Sequence, residues 1–132
     1  MIIDASVAFK WLIEEPDSPR AIAWIGRDSM FAPALLHIEV GNALWKRFRR
    51  GELGSIDGAA EQLAGLGQLV GFVDETSVVP RAFELASELG HPIYDCVYLA
   101  LAESRDDRVL TADLRFLQSV KDTDHASKVM PL

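Results

Sequence analysis

At 132 residues, 49% apolar and 25% charged, the chain has the size and composition of one compact domain spanning 1–132, without the length for a second. Its net charge of −7 argues against a protein that adheres to nucleic acid through a broadly basic surface, since phosphate neutralisation supplies much of such affinity. The single cysteine, Cys96, excludes an internal disulfide framework, and the longest apolar run, Val97 to Ala102, falls far short of the ~20 residues of a membrane span.

Ile2-Ile3-Asp4 reads as a short buried strand ending in an acid. No basic or long apolar segment precedes it, so cytoplasmic residence is expected. Ser6 to Ile13 forms a first helix, cut off before Pro16. Ser18-Pro19 starts a second, with Ser as N-cap and Pro at the first helical position, running through Ile22, Trp24 and Ile25 to about Arg27. Met30-Phe31-Ala32 is a second strand, closed by Pro33. A long helix from about Ala34 to Arg50 ends at Gly51. After a connector, roughly Gly58 to Gln68 is helical and Val70 to Val73 a third strand. Pro80 to Leu89 is a helix stopped by Gly90. Ile93 to Ser104 is a helix apolar on nearly every side, hence buried. Arg108 to Thr111 is a fourth strand, Leu114 to Val120 a short helix, and Lys128-Val129-Met130 a fifth strand. Short apolar strands alternating with helices predict a parallel sheet covered on both faces.

In such a sheet ligands bind outside the carboxyl ends of the strands. Asp4 ends the first strand and Asp113 follows the fourth, although each also suits the N-cap of the next helix. Glu39 shares one face of the long helix with Asn42, Ala43 and Lys46, a stripe equally suited to a solvated side. Asp95 opens the buried helix, where the macrodipole favours an acid. Val97 to Ala102, just beyond it, have no polar face, so Asp95 is held near the interior, and buried carboxylates are paired, protonated or bound to metal.

Taken in order, Met1-Ile2-Ile3-Asp4-Ala5-Ser6, Ile38-Glu39-Val40-Gly41-Asn42-Ala43-Leu44, Tyr94-Asp95-Cys96-Val97-Tyr98-Leu99-Ala100-Leu101-Ala102 and Leu110-Thr111-Ala112-Asp113-Leu114-Arg115-Phe116 resemble the PIN-domain family. Within it they look most like the VapC toxins of toxin–antitoxin pairs. The resemblance covers essentially the whole chain. It implies an α/β PIN fold, a central parallel sheet of four to five short strands flanked by helices on both faces. Asp4, Glu39, Asp95 and Asp113 match the family's acidic, metal-binding quartet, and Ser6, Asn42 and Thr111 its supporting polar positions. Also implied are hydrolysis of RNA leaving 5′-phosphate and 3′-hydroxyl ends, a cognate VapB-type antitoxin whose C-terminal segment lies across the pocket, and a homodimer.

The ligand type points to metal independently. Oxygen-only ligands suit Mg²⁺ or Mn²⁺, whereas zinc asks for Cys or His, and His37, His91 and His125 are scattered. Two carboxylates about 5 Å apart repel by roughly 3 kcal/mol at an effective dielectric of 20, and a divalent ion reverses that cost. Either Asp95 or Glu39 is a candidate to orient the attacking water. Lys46, Arg49 and Arg50, with Lys10 and Arg115, are candidate RNA contacts, though cations at a helix C-terminus also complement its dipole. Trp11, Trp24 and Trp45 are expected to pack, with a partner groove as the alternative for one of them, and Cys96 to be an inert buried thiol.

Other readings fit less well. A haloacid-dehalogenase-type enzyme wants a second acid where Ser6 stands, and a receiver domain wants an acidic pair before the first strand. A noncatalytic PIN-like interaction module has no need of all four acids, and a DNA nuclease of flap-endonuclease type needs much more chain.

Overall fold

The computed structural model describes residues 1–27 and 29–132. Five short strands, β1 (Ile2–Ile3), β2 (Phe31–Pro33), β3 (Gly71–Val73), β4 (Val109–Thr111) and β5 (Val129–Pro131), form one sheet in the order β3-β2-β1-β4-β5. Every pairing is parallel, with Ile2 opposite both Phe31 and Val109. The chain first builds outward from β1 through β2 to β3, then crosses to the other side of β1 for β4. Strand order therefore reverses between β1 and β4, and the carboxyl ends of these two strands bound the crevice where open α/β sheets place ligands.

Helices α1 (Ala5–Leu12), α2 (Ser18–Ile22), α3 (Leu35–Arg49) and α4 (Ile56–Gly65) pack together as one group. Helices α5 (Val79–Leu89) and α6 (Ile93–Ser104) form another, and α7 (Leu114–Val120) lies against β5. The apolar run in α6 explains its position. Cys96 through Ala102 are all buried, and the helix packs on β1, β2 and β4 together. Burying a Leu, Val or Phe side chain stabilises by about 1.5–3 kcal/mol, so α6 is a major source of core stability. Glycines in the left-handed region end two helices: Gly90 at φ 59° stops α5, and Gly51 at φ 71° follows α3. No helix among the described residues is long and apolar enough to cross a membrane.

Two expectations need correction. The second helix ends at Ile22 rather than near Arg27. Ala23 to Arg27 form successive turns through short-range bonds such as Ile25 N–H to Ile22 O at 3.0 Å, and Gly26 at φ 79° ends the run. Ser18 is not its cap either, because its hydroxyl donates back to Ile13 O at 3.0 Å and accepts from Glu15 N–H at 2.9 Å. The second concerns the packing of Trp45, which is half exposed on α3 together with Ile38 and Phe48, so that of the three tryptophans it is the one left to the groove alternative. The inward side of α3 is instead Leu36, Val40 and Leu44. Apolar spacing marks a face but does not say whether the protein's own core covers it.

Candidate functional site

The site grows from the reversal in strand order. Asp4 leaves β1 with its N–H bonded to Leu110 O at 3.0 Å, fixing it beside β4. The residue is 3% exposed, and its carboxylate caps α1 by accepting from Ser6 N–H at 3.2 Å. The same oxygen, Oδ2, also accepts from the Ser6 hydroxyl and from the Thr111 hydroxyl, the latter at 2.8 Å. Ser6 Oγ in turn accepts from Ala112 N–H, and Thr111 Oγ1 from Asp113 N–H, both at 2.9 Å. Two hydroxyls thus sew the carboxyl ends of β1 and β4 together. Asp113 caps α7, its Oδ1 accepting from Arg115 N–H at 2.7 Å and Phe116 N–H at 3.2 Å. Capping and site membership are therefore not alternatives for these two acids.

The other two acids come from helices. Glu39 stands in the first half of α3, half-buried. The Tyr98 hydroxyl, reaching from α6, donates to its Oε2. Asp95 lies in the first turn of α6, and its Oδ2 is hydrogen-bonded to His91 Nε2 at 2.5 Å. His91 is itself stacked on the Phe116 ring, with centroids 5.6 Å apart.

Electrostatics ties these groups together. Burial pushes the Asp4 carboxyl up to about 6, against the pull of the Ser6 and Thr111 hydroxyls, and repulsion from Asp95 adds to the rise. Glu39 is pushed up to about 7, first by burial and then by Asp4 and Asp95, with the Tyr98 hydrogen bond acting the other way. Asp95 is raised by burial, eased by His91 and raised again by Asp113. Burial pushes the Cys96 thiol up to about 11, so the thiol stays protonated and inert near neutral pH.

Among the described residues, no three or more His, Cys, Asp or Glu side chains stand close enough together, as they lie, to hold a metal ion between them. The four acids share a subtler property. Each accepts protein hydrogen bonds through one oxygen only: Asp4 through Oδ2, Glu39 through Oε2, Asp95 through Oδ2 and Asp113 through Oδ1. The second oxygen of each has no hydrogen-bond donor among the described residues. Anchoring a carboxylate by one oxygen orients the other, which is how partners around a metal site hold its ligands. The donor set, all carboxylate oxygen with His91 committed to Asp95, fits a hard divalent cation. No Lys or Arg ion-pairs with any of the four among the described residues.

The remaining sequence candidates are placed unevenly. Ser6 and Thr111 hold Asp4 directly. Asn42 is exposed on α3 and bonds none of the acids. Lys10 is committed to Glu15 at 2.7 Å and Asp17 at 2.9 Å, and Arg50 to Glu52 at 2.8 Å. Lys46 is exposed, and Arg49 lies over the Trp45 ring at 5.1 Å. Arg115 lines an open hollow with Ser6, Ala112, Asp113 and Leu114. Sequence reasoning missed Tyr98 and His91 as partners of the acids. The available signal was chemical for Tyr98, whose hydroxyl needs an acceptor inside a helix with no polar face. For His91 it was spacing, four residues before Asp95.

Comparison with known proteins agrees with this fold. The sequence model of the PIN domain matches residues 1–121. The chain is similar to Ribonuclease VapC3 of Pyrobaculum aerophilum, 32% identical over 117 residues that span 86% of this chain and 88% of that protein. It is similar also to Ribonuclease VapC9 of Mycobacterium tuberculosis, 28% identical over 115 residues, 87% of each chain. Its fold matches the crystal structure of PAE2754 from Pyrobaculum aerophilum with a TM-score of 0.71 and 26% identity, covering 98% of this chain and 88% of that one.

Proposed function

The chain belongs to the PIN-domain family, and from that premise we propose that it is a VapC-type ribonuclease hydrolysing RNA phosphodiester bonds with Mg²⁺ or Mn²⁺. One observation carries the reading: four sequence-distant carboxylates, each anchored through a single oxygen, at the point where strand order reverses. The relatives named as ribonucleases support RNA as the substrate class.

Asp4, Glu39, Asp95 and Asp113 would hold the ion, which when bound lowers the pKa of a water and stabilises charge on the phosphoryl and leaving oxygens. The protein's own contribution is orientation. Ser6 and Thr111 fix Asp4, His91 fixes Asp95, and the first N–H groups of α7 fix Asp113. Glu39 and Asp4, with carboxyls raised to about 7 and 6, would have to be ionised to hold a cation, so ion binding at or below those pH values would be coupled to proton release. Lys46, Arg49 and Arg115, exposed and without ion pairs among the described residues, supply positive charge to guide an RNA backbone past an otherwise acidic protein. A VapB-type antitoxin as partner belongs to the same reading, supported by the VapC names of the relatives, and a homodimer and a cytoplasmic place of action are proposed with it on the family resemblance alone.

The test is cleavage of a structured RNA and a matching DNA by the intact chain and by Asp4→Asn. The intact chain is expected to cut RNA with Mn²⁺ and to stop in excess chelator. Asp4→Asn should lose at least about 100-fold, because partners one step removed from a metal already cost 10–100-fold. Equal cutting by both proteins, or cutting that persists in chelator, would end the proposal. Preference for DNA would overturn the assignment of substrate.

A further inference from the structure

Tyr98 is the largest side chain that the fold buries completely. Packing accounts for its ring but not for its hydroxyl. That hydroxyl lies within the field of three carboxylates, Asp4, Glu39 and Asp95, yet it donates to Glu39 alone. The bond joins α6 to α3, the two helices that carry Asp95 and Glu39. Tyr98 follows Asp95 by three residues and so shares its side of the helix.

Glu39 is the acid with most freedom to lose. Its side chain has three rotatable torsions. Among the described residues its carboxylate accepts from no other donor, whereas Asp4 takes three hydrogen bonds and Asp113 two backbone ones. Removing the Tyr98 hydroxyl would leave the Glu39 carboxylate unanchored. Resting on the metal-nuclease reading above, we infer that Tyr98 is a positioning residue: its hydroxyl fixes Glu39 through Oε2 so that Oε1 faces the carboxyl edge of β1 and β4, ready for a divalent cation. A merely structural tyrosine would use Glu39 only to satisfy its own hydroxyl, and the metal would be indifferent to it.

A double-mutant cycle on metal affinity separates these roles. Mn²⁺ is titrated calorimetrically into the intact chain, Tyr98→Phe, Glu39→Gln and the double variant, with circular dichroism checking each fold. Tyr98→Phe keeps the ring and should weaken Mn²⁺ by about 10-fold, the lower end for partners that orient metal ligands. In the Glu39→Gln background the same change should cost less than about twofold, because the carboxylate it orients is gone. RNA cleavage should lose kcat with KM unchanged.

Wild-type Mn²⁺ affinity in Tyr98→Phe overturns the inference, as does an equal loss in both backgrounds. Should Tyr98→Phe not fold, the ¹³Cζ resonance of Tyr98 serves instead, since the chain has only two tyrosines. It is expected to shift on Mg²⁺ addition in the intact chain and to stay still in Glu39→Gln. A resonance that is unmoved in the intact chain, or moves alike in both, overturns the inference. If the intact chain binds no Mn²⁺, the nuclease reading falls and takes this inference with it. If it binds Mn²⁺ and only the Tyr98 arm fails, the nuclease reading stands without Tyr98.

Discussion

Two regions of the molecule concentrate carboxylates, and they treat them in opposite ways. On α5 and α6, Arg81 reaches Glu103 at 2.8 Å, Glu84 at 3.0 Å and Glu88 at 3.2 Å. His125 adds contacts to Glu103 at 3.2 Å and Glu88 at 3.3 Å. There His125 and Arg81 hold the Glu88 carboxyl below its usual range. At the carboxyl edge of the sheet, Asp4, Glu39 and Asp95 are anchored by hydroxyls, a phenol and an imidazole, and burial with mutual repulsion raises them. A carboxylate given a cation within the protein is finished with its work, which is structural. One held by hydroxyls or an imidazole, raised and with an oxygen to spare, is on the proposed reading available to a cation from outside.

The largest effect that sharpens this contrast comes from Thr111→Val. It removes the hydroxyl that donates to Asp4 and accepts from Asp113 N–H. Cleavage should fall about 10–100-fold, and urea unfolding should show a loss of about 1–3 kcal/mol from orphaned buried groups. Unchanged cleavage would mean that the orientation of Asp4 does not matter.

Next in size is the dependence of stability on pH. Asp4 and Glu39 titrate at about 6 and about 7 in the fold, above the roughly 3.9 and 4.3 of an unfolded chain. Between these limits the native state binds more protons than the unfolded one, so stability is full below about pH 4 and is lost as pH rises through 6 to 7. In chelator, the chain should be more stable at pH 5 than at pH 8 by on the order of 1–3 kcal/mol. Asp17, Asp74, Glu88, Asp106 and Asp107 are held low and titrate below this window. Asp4→Asn should flatten the slope, which isolates the acid from the histidines, and Mn²⁺ at pH 8 should restore stability by binding the native state. A slope of the opposite sign would refute the claim that these acids are strained.

The smallest effect belongs to the other region. Arg81→Gln breaks an exposed network and should lower Tm by a few degrees at most while leaving RNA cleavage and Mn²⁺ affinity unchanged. A large loss of activity there would erase the distinction between the two regions.

Much of this was legible in the residues. The bounds of α6 and α7 match the expectation from apolar patterning, and the five strands fall within a residue or two of theirs, because strands this short and apolar have few other uses. Trp24 and Ile25 misled, since their spacing extends a helix that the turns before Gly26 had already ended. Trp45 misled for another reason: the periodicity of α3 is real, but Leu36, Val40 and Leu44 own the inward face. At the site, the four acids could be named from order and spacing, whereas their anchors belong to tertiary structure. Tyr98 meets Glu39 across 59 positions and Thr111 meets Asp4 across 107. No local pattern records which oxygen of a carboxylate is held.

That last feature is what an anomalous diffraction map of Mn²⁺-soaked crystals would read most directly. A manganese peak is expected at the carboxyl edge of β1 and β4, bonded through Asp4 Oδ1, with Oδ2 still held by Ser6 and Thr111, and with oxygens of Glu39, Asp95 or Asp113 completing the protein's share. A peak elsewhere, or none while the acids keep their positions, would contradict the assignment of these four acids to a metal.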